Sequence, residues 1–189
     1  MQSSIGKFFL VTLLLLITTN ASANAGDFTV QIKYSPWGII DADEDDFDFA
    51  NDGDYEKYDL DFERSFGIRG IFEPFYFAAN RYTTQVDSDS PEATVETFSV
   101  GLGGINYDAF AYNSGLYLLG AIGAGRGNFT FNESSLDDWE AFIEANAEIG
   151  LRIQEHWLIG VGAEWQHFGE PGESKANYWN LYFTTGFTF

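Results

Sequence analysis

The sequence predicts an all-β fold, an eight-stranded antiparallel up-and-down transmembrane β-barrel, and three observations lead to it. Apolar and polar residues alternate with a period of two along eight segments. The connections between these segments alternate between long and short, as they do when strands cross a bilayer up and down. Each segment supplies roughly the 9–11 residues that a tilted strand needs to cross a bilayer. Closure into a barrel follows, because an open sheet edge in lipid would leave N–H and C=O groups unpaired.

Residues 1–25 precede the first strand and are typical of a secretory signal peptide. Lys7 is followed by an apolar run of about ten residues and by an A-x-A ending. Cleavage is expected after Ala23 or after Ala25, because both positions end such a triplet. A membrane-spanning helix would need about 20 apolar residues. Residues 26–189 are therefore expected to form a single barrel domain.

The first four strands are expected at residues 28–35, 58–72, 75–85 and 94–107. In the first, second and fourth of these, apolar residues recur at every second position over much of the segment, and the residues between them are polar, charged or glycine. This pattern predicts one face in lipid and one in a polar interior. The apolar positions are Phe28, Val30, Ile32 and Tyr34, then Leu60, Phe62, Phe66 and Ile68, then Phe98, Val100 and Leu102. In the segment 75–85, the parity that faces outward stays open.

The last four strands are expected at residues 114–129, 139–153, 157–166 and 177–189. The final strand is the clearest, since its odd positions are mainly aromatic or aliphatic and its even positions are largely polar or small. The segments 139–153 and 157–166 repeat the alternation, with their carboxylates on the inward parity. A helix would scatter these carboxylates around its circumference. In the segment 114–129, the outward parity again stays open.

The connections divide into two sets according to length. Long ones are expected at about 41–57, 87–93, 128–138 and 169–176, and tight turns at Glu73-Pro74, 108–113 and 154–156. The long set would form four acidic external loops, and the short set would lie in the periplasm together with both chain termini.

Composition excludes several functions. The chain has 29 acidic and 9 basic residues among 189, for a formal net charge of -20. A surface this acidic would repel nucleic acid, which is therefore not an expected partner. The absence of cysteine excludes disulfides, thiolate metal sites and a cysteine nucleophile.

The signal peptide, the eight alternating segments and the ending Asn-Leu-Tyr-Phe-Thr-Thr-Gly-Phe-Thr-Phe together resemble small bacterial outer-membrane β-barrel proteins, the OmpA- and OmpX-like group. The resemblance implies a monomer in the outer membrane of a Gram-negative envelope, reached through the periplasm. It also implies outer-membrane lipid, lipopolysaccharide and the barrel-assembly machinery as partners. Phe183, Phe187 and Phe189 match the C-terminal signal that this machinery recognises in such proteins.

The inward parity carries many charges, which form the predicted lumen charge network. An eight-stranded barrel is just wide enough to be filled by side chains, so these groups should pair or keep water. The main interpretation is a salt-bridged plug, and a narrow, porin-like, cation-preferring channel is the alternative. Some glutamates would then stay protonated or hold a cation. The predicted residues are Lys33, Asp59, Asp61, Glu63, Arg69, Glu140, Glu144, Glu148, Arg152 and Glu164.

Asp41, Asp43 and Asp45 are metal-ligand candidates in the first long connection. They occupy positions 1, 3 and 5 of an EF-hand-type loop, but Asp46 stands where that loop needs glycine and Asp52 stands where it needs glutamate. A true EF-hand is therefore not expected. Loosely bound Ca²⁺ or Mg²⁺ at the external loops remains a hypothesis, and no cofactor is predicted.

His167, Glu164 and Ser174 are the only catalytic candidates. The stretch around His167 resembles the His-x-Ser stretch of outer-membrane lipid A deacylases, which use Ser, His and Glu. Here Gly169 stands at the position of the nucleophile. The sequence therefore favours a non-catalytic role in envelope structure, surface interaction or adhesion, with a lipid A hydrolase as the enzymatic alternative.

Overall fold

The computed structural model describes ten β-strands. The described residues are 28–42, 58–61, 65–85, 92–107, 110, 115–131, 134–135, 139–169 and 176–189. The strands are β1 (Phe28–Ala42), β2 (Tyr58–Asp61), β3 (Phe66–Phe72), β4 (Phe75–Gln85), β5 (Glu92–Asn106), β6 (Leu116–Phe131), β7 (Ser134–Ser135), β8 (Glu140–Ile153), β9 (Trp157–Phe168) and β10 (Ala176–Thr188). The predicted signal peptide, residues 1–25, lies outside this set.

These strands form a closed antiparallel barrel. β2 and β3 both pair with β1 and with β4, so they make two parts of one barrel strand. The two-residue β7 pairs with the end of β6. The remaining neighbours follow chain order, and β10 pairs with β1 to close the sheet. The predicted eight-stranded up-and-down barrel is therefore confirmed, and no helix in the described part of the chain is long and apolar enough to span a membrane.

One end of the barrel, here called the turn end, holds the short connections, the start of β1 and the end of β10. The β8–β9 turn places Gln154 and Glu155 at φ angles of 51° and 67°, as a tight hairpin turn requires. The β3–β4 turn is held to β5 through the Pro74 carbonyl, which accepts from the Gly103 amide at 2.8 Å. The opposite end, from which the long connections emerge, is called the loop end.

β1 is longer than predicted and contains a bulge. The strand continues past Ser35-Pro36, and its register with β10 shifts between Tyr34 and Trp37. Proline has no N–H to donate to a sheet, so bulges are one of the few places in which a strand tolerates it. The bulge changes the inward and outward parity of β1, so that Trp37 is exposed and Gly38 is buried.

The barrel is apolar outside and polar inside. Large hydrophobic side chains on alternate positions are exposed on β1, β3, β4, β5, β8, β9 and β10, as with Ile32 at 57% and Phe183 at 55%. The two parities that the sequence left open are now assigned. On β4 the tyrosines face inward and the phenylalanines outward, and on β6 Tyr117 and Leu119 face inward.

The interior also contains an apolar layer. Its buried residues pack together near the turn end and close this part of the lumen: Ile71, Tyr76, Ala78, Ile105, Tyr117, Leu119, Ala121 and Leu158.

Candidate functional site

The first buried ion pair of the lumen joins β1 to β9. Lys33 Nζ lies 2.8 and 2.7 Å from the two carboxylate oxygens of Glu164. Tyr82 OH and Asn180 Nδ2 each donate to Glu164 Oε2 at 2.6 Å. The ammonium group also lies 5.1 Å from the centre of the Tyr182 ring, within cation–π range. Three neighbours thus compensate the cost of burying this pair.

The second buried ion pair lies next to the first and joins β3 to β8. Arg69 contacts the Glu148 carboxylate, and its guanidinium also donates twice to Gln31 Oε1, at 3.0 and 2.6 Å. Tyr117 OH donates to Glu148 Oε1 at 2.5 Å, and Gln31 Nε2 donates to the same oxygen at 2.8 Å. Arg69 Nη1 donates to Tyr182 OH at 3.2 Å. Such multiple bonding is what a buried guanidinium requires.

Two glycines of β9 make room for these networks. A Cβ on Gly160 would lie 2.6 Å from both Glu148 Oε1 and Tyr117 OH. A Cβ on Gly162 would lie 2.4 Å from the ring of Tyr182. Any other residue at either position would therefore displace a side chain of the network. The small inward residues of β9 are part of the site, although the charge pattern alone does not reveal them.

Glu144 is the third buried carboxylate, and it has a different environment. Ser99 Oγ donates to Glu144 Oε1 at 2.5 Å, and Gln166 Nε2 donates to Oε2 at 3.2 Å. Within the described residues, no ion pair is formed by Glu144, whereas Glu148 and Glu164 each form one.

Two predicted lumen residues differ from their expected parity in the sheet register. In the sheet, Asp59 pairs with Ile39 and Asp61 pairs with Trp37, and Trp37 is on the outward parity with 40% exposure. Between the pairs Tyr34–Phe66 and Trp37–Asp61, β1 advances three residues and the neighbouring strand advances five. The alternation of that strand therefore breaks between β3 and β2, opposite the β1 bulge. In register, both aspartates share the parity of Trp37 instead of the expected inward parity, and their side chains lie outside the described part of the structure.

The other predicted lumen residues lie at the ends of the barrel or outside the described residues. Glu140 is half-buried near the loop end. Arg152 is half-buried near the turn end, where its guanidinium lies 4.3 Å from the centre of the Tyr107 ring. Glu63 is outside the described residues. The charged centre of the lumen thus consists of Lys33, Arg69, Glu144, Glu148 and Glu164, each at most 3% exposed.

The catalytic candidates are not brought together. Glu164 is fully buried in the lumen, whereas His167, three residues further along the same strand, is on the opposite face. His167 stacks on Trp165 with ring centres 5.8 Å apart, and its Nδ1 lies 3.0 Å from Asn177 Oδ1. Ser174 lies outside the described residues. The expected grouping of Glu164 with His167 is therefore incorrect, because an interval of three places strand residues on different faces.

The metal candidates lie largely outside the described residues. The backbone of Asp41 is part of β1 and pairs with Asn177, while Asp43 and Asp45 are not described. Among the described residues, no group of three or more His, Asp or Glu side chains is placed to hold a metal ion.

The proposed C-terminal signal residues lie along the outside of β10 and at its end. Phe183 is exposed, and Phe189 is 70% exposed. Phe187 packs against Trp157 and Phe189, with ring centres 5.4 and 5.0 Å apart. These rings form an aromatic patch at the turn end, next to the backbone bond from Phe189 N to the Phe28 carbonyl.

The sequence predicted which buried charges the lumen could contain but missed their neutral partners. Gln31, Tyr82, Tyr117, Asn180 and Tyr182 all bond the charged groups described above. Gln31, Asn180 and Tyr182 lie on parities that the alternation already assigned to the interior. Their polar side chains were therefore a usable signal.

The barrel is similar to solved structures of bacterial surface proteins. Neisserial surface protein A matches it with a TM-score of 0.61 and 9% sequence identity, over 87% of this chain and 99% of that chain. Ail, the attachment invasion locus protein of Yersinia pestis, matches with a TM-score of 0.50 and 15% identity over the same shares of both chains. No family model matches the sequence, and no curated protein is significantly similar to it. In fold, the chain is therefore similar to the small eight-stranded barrels of bacterial outer membranes.

Proposed function

We propose that the protein is an integral, monomeric, non-catalytic protein of the bacterial outer membrane that acts in surface interaction or adhesion. The observation that carries this proposal is the inverted distribution of polarity. Exposed apolar side chains cover the outside of β1, β3, β4, β5, β8, β9 and β10, whereas lysine, arginine and glutamate are buried inside. Lipid stabilises such an exterior, while water would leave a large apolar surface exposed.

The filled lumen supports a structural role for the barrel itself. Hydrogen bonds cross it between opposite strands, as from Gln31 on β1 to Tyr117 on β6 and from Tyr82 on β4 to Glu164 on β9. With side chains bonded across the axis, the interior favours a rigid support over a conducting path. The working surface would then be the loop end, which faces the exterior in this proposal.

The composition of the first long connection suggests how that surface acts. Eight acidic residues lie between positions 41 and 54. A loop of this charge would contact cationic surfaces directly, or phosphate groups of lipopolysaccharide through loosely bound Ca²⁺ or Mg²⁺. The structurally similar Ail is named as an attachment invasion protein, which favours adhesion over a purely structural role. Export through the periplasm and insertion by the barrel-assembly machinery complete the proposal.

The test is expression of the full chain in a Gram-negative host. We expect the protein in the outer-membrane fraction, a gel mobility that changes on heating, and increased binding of the cells to a cationic surface. Replacing Asp43, Asp45, Asp46 and Asp48 by asparagine should reduce this binding, whereas replacing Asp87 and Asp89 in another connection serves as the control. Recovery from the soluble periplasmic fraction would overturn the membrane location. Unchanged cell binding with and without the protein would overturn the surface role.

A further inference from the structure

Three neighbouring strands carry a charged residue at nearly the same height on the outer wall of the barrel. These residues are Arg81 on β4, Glu96 on β5 and Arg126 on β6, and all three are exposed. Arg81 pairs with Glu96 in the sheet, and Arg126 pairs with Phe98, two residues further along β5. Of the lysines and arginines in the described strands, only these two arginines are exposed. The outward cations of the described wall are therefore grouped on one side of the barrel.

The three charged residues mark the edge of the apolar wall on the side of the loop end. The outward residues that precede them, counted from the turn end, are all apolar and exposed: Phe77 and Ala79 on β4, Phe98 and Val100 on β5, and Ala124 on β6. A charged side chain on a lipid-facing strand is least costly near the membrane boundary. The change from apolar to charged residues on all three strands therefore indicates where this boundary lies.

Phe98 stands between the two arginines. Arg126 lies directly opposite Phe98 in the sheet, and Arg81 is its diagonal neighbour on the other side. Diagonal neighbours are about 7–8 Å apart, within reach of long side chains. Phe98 itself is 54% exposed, and the outward residue before each arginine is an alanine, Ala79 or Ala124, which leaves space beside the ring. Two cations thus flank an exposed apolar surface at the membrane boundary.

Glu96 leaves Arg81 able to bind a second anion. Arg81 Nη1 and Glu96 Oε1 are 3.7 Å apart, and the two side chains are 66% and 48% exposed. Exposed ion pairs of this kind contribute little. Among the described residues, no carboxylate forms an ion pair with Arg126. Guanidinium groups bind phosphate through two parallel hydrogen bonds, so phosphate is the anion that both arginines suit best.

We propose that Arg81, Phe98 and Arg126 bind a membrane lipid whose headgroup carries a phosphate monoester. The two guanidinium groups donate to phosphate oxygens, while an acyl chain packs against the Phe98 ring. A phosphate monoester has a charge of about -1.5 to -2 at neutral pH, which matches two cations better than a phosphodiester does. The apolar residues next to the arginines favour a lipid over free phosphate. The inference rests on the proposed outer-membrane location, which makes the outer leaflet the source of the lipid.

The experiment measures lipid binding to the full mature barrel in micelles of a nonionic detergent by native mass spectrometry. Dioleoyl phosphatidic acid is the probe, and dioleoyl phosphatidylcholine is the reference lipid. We expect one molecule of phosphatidic acid to be retained in preference to phosphatidylcholine. Arg81→Gln combined with Arg126→Gln should lower the affinity at least about tenfold, because hydrogen bonds to a charged group are lost. Arg152→Gln is the control, since Arg152 is half-buried near the turn end and its loss should leave the affinity unchanged.

Glu96→Gln distinguishes a phosphate site from charges that only support the fold. This substitution removes the carboxylate that pairs with Arg81, so it should raise the affinity for phosphatidic acid about twofold to fivefold. A lower affinity in this variant would overturn the proposal. All the substitutions at the site change exposed side chains, and heat-dependent gel mobility verifies folding before binding is measured.

The unaltered protein keeps the proposal testable should the double variant fail to fold, because equal retention of phosphatidic acid and phosphatidylcholine would overturn it. Equal affinity of the unaltered protein and the double variant for phosphatidic acid would overturn it as well, as expected if acidic side chains of the loops occupied both arginines. Displacement of the lipid by inorganic phosphate at equal concentration would overturn the choice of a lipid. These measurements use purified protein in micelles, so their failure is distinct from a failure of the membrane location, which fractionation of cells tests.

Discussion

The Lys33–Glu164 pair allows a sharp test of the buried network, through the substitution Glu164→Gln. At the 2.7 Å separation of Lys33 Nζ and Glu164 Oε2, the attraction is about 6 kcal/mol at an effective dielectric constant of about 20. The glutamine has the same shape but only one acceptor oxygen for the donors Lys33, Tyr82 and Asn180. Because a buried ammonium loses its counter-charge, we expect a loss of about 3–5 kcal/mol in the free energy of unfolding.

The assay is equilibrium urea unfolding of the barrel refolded into lipid vesicles, followed by tryptophan fluorescence. Glu96→Gln is the matched control, since Glu96 pairs with Arg81 at 3.7 Å on the exposed outer surface and should cost at most about 1 kcal/mol. The double substitution Lys33→Met with Glu164→Leu should recover most of the loss, because it removes both charges. If Glu164→Gln and Glu96→Gln lowered the free energy of unfolding equally, burial would not be what makes the Lys33–Glu164 pair important for stability.

Three further predictions use the same unfolding assay or its folding counterpart. Gly162→Ala should lower the free energy of unfolding by about 1–3 kcal/mol, because the new Cβ would lie 2.4 Å from the Tyr182 ring. Gly104→Ala should cost clearly less, because its new Cβ would lie 3.3 Å from its nearest neighbour, Glu73 Oε1; similar costs would contradict the packing argument. Ile159→Lys, at a position 51% exposed on the outer face, should cost about 2–4 kcal/mol in vesicles, and a neutral result would argue against a lipid-facing belt. Phe189→Ser should lower the yield of folded barrel in the outer membrane of a host, as measured by heat-dependent gel mobility. The free energy of unfolding in urea should stay nearly unchanged. An unaltered yield would remove this residue from the assembly signal.

The fold was predictable because the alternation and the loop lengths report the same architecture independently. The two parities left open were not, for a physical reason. On β4 both faces carry aromatic rings, so hydrophobicity alone does not separate them. The structure separates them by the hydroxyl group: Tyr76 and Tyr82 find hydrogen-bond partners in the lumen, whereas Phe75 and Phe77 face outward.

The candidate site was predictable in composition but not in connectivity. Alternation indicates that Lys33 and Glu164 both face inward, yet which cation meets which carboxylate depends on how strands far apart in the chain are placed around the barrel. The predicted parity of Asp59 and Asp61 failed for a local reason, since the strand that carries them breaks its period of two between β3 and β2, opposite the bulge of β1. A bulge is set by a few residues and by the neighbouring strand, and a period-two pattern does not reveal it.

The bonds across the lumen also bear on the order of folding. Lys33 and Glu164 are 131 residues apart in the chain, and Gln31 and Tyr117 are 86 apart. These partners meet only when the sheet has curved back upon itself and β10 has reached β1. A half-formed sheet in lipid would therefore hold unpaired charges as well as unpaired strand edges. Pairing of β10 with β1 removes both in the same step. The interior thus makes partly inserted forms unfavourable and couples insertion to closure of the cylinder.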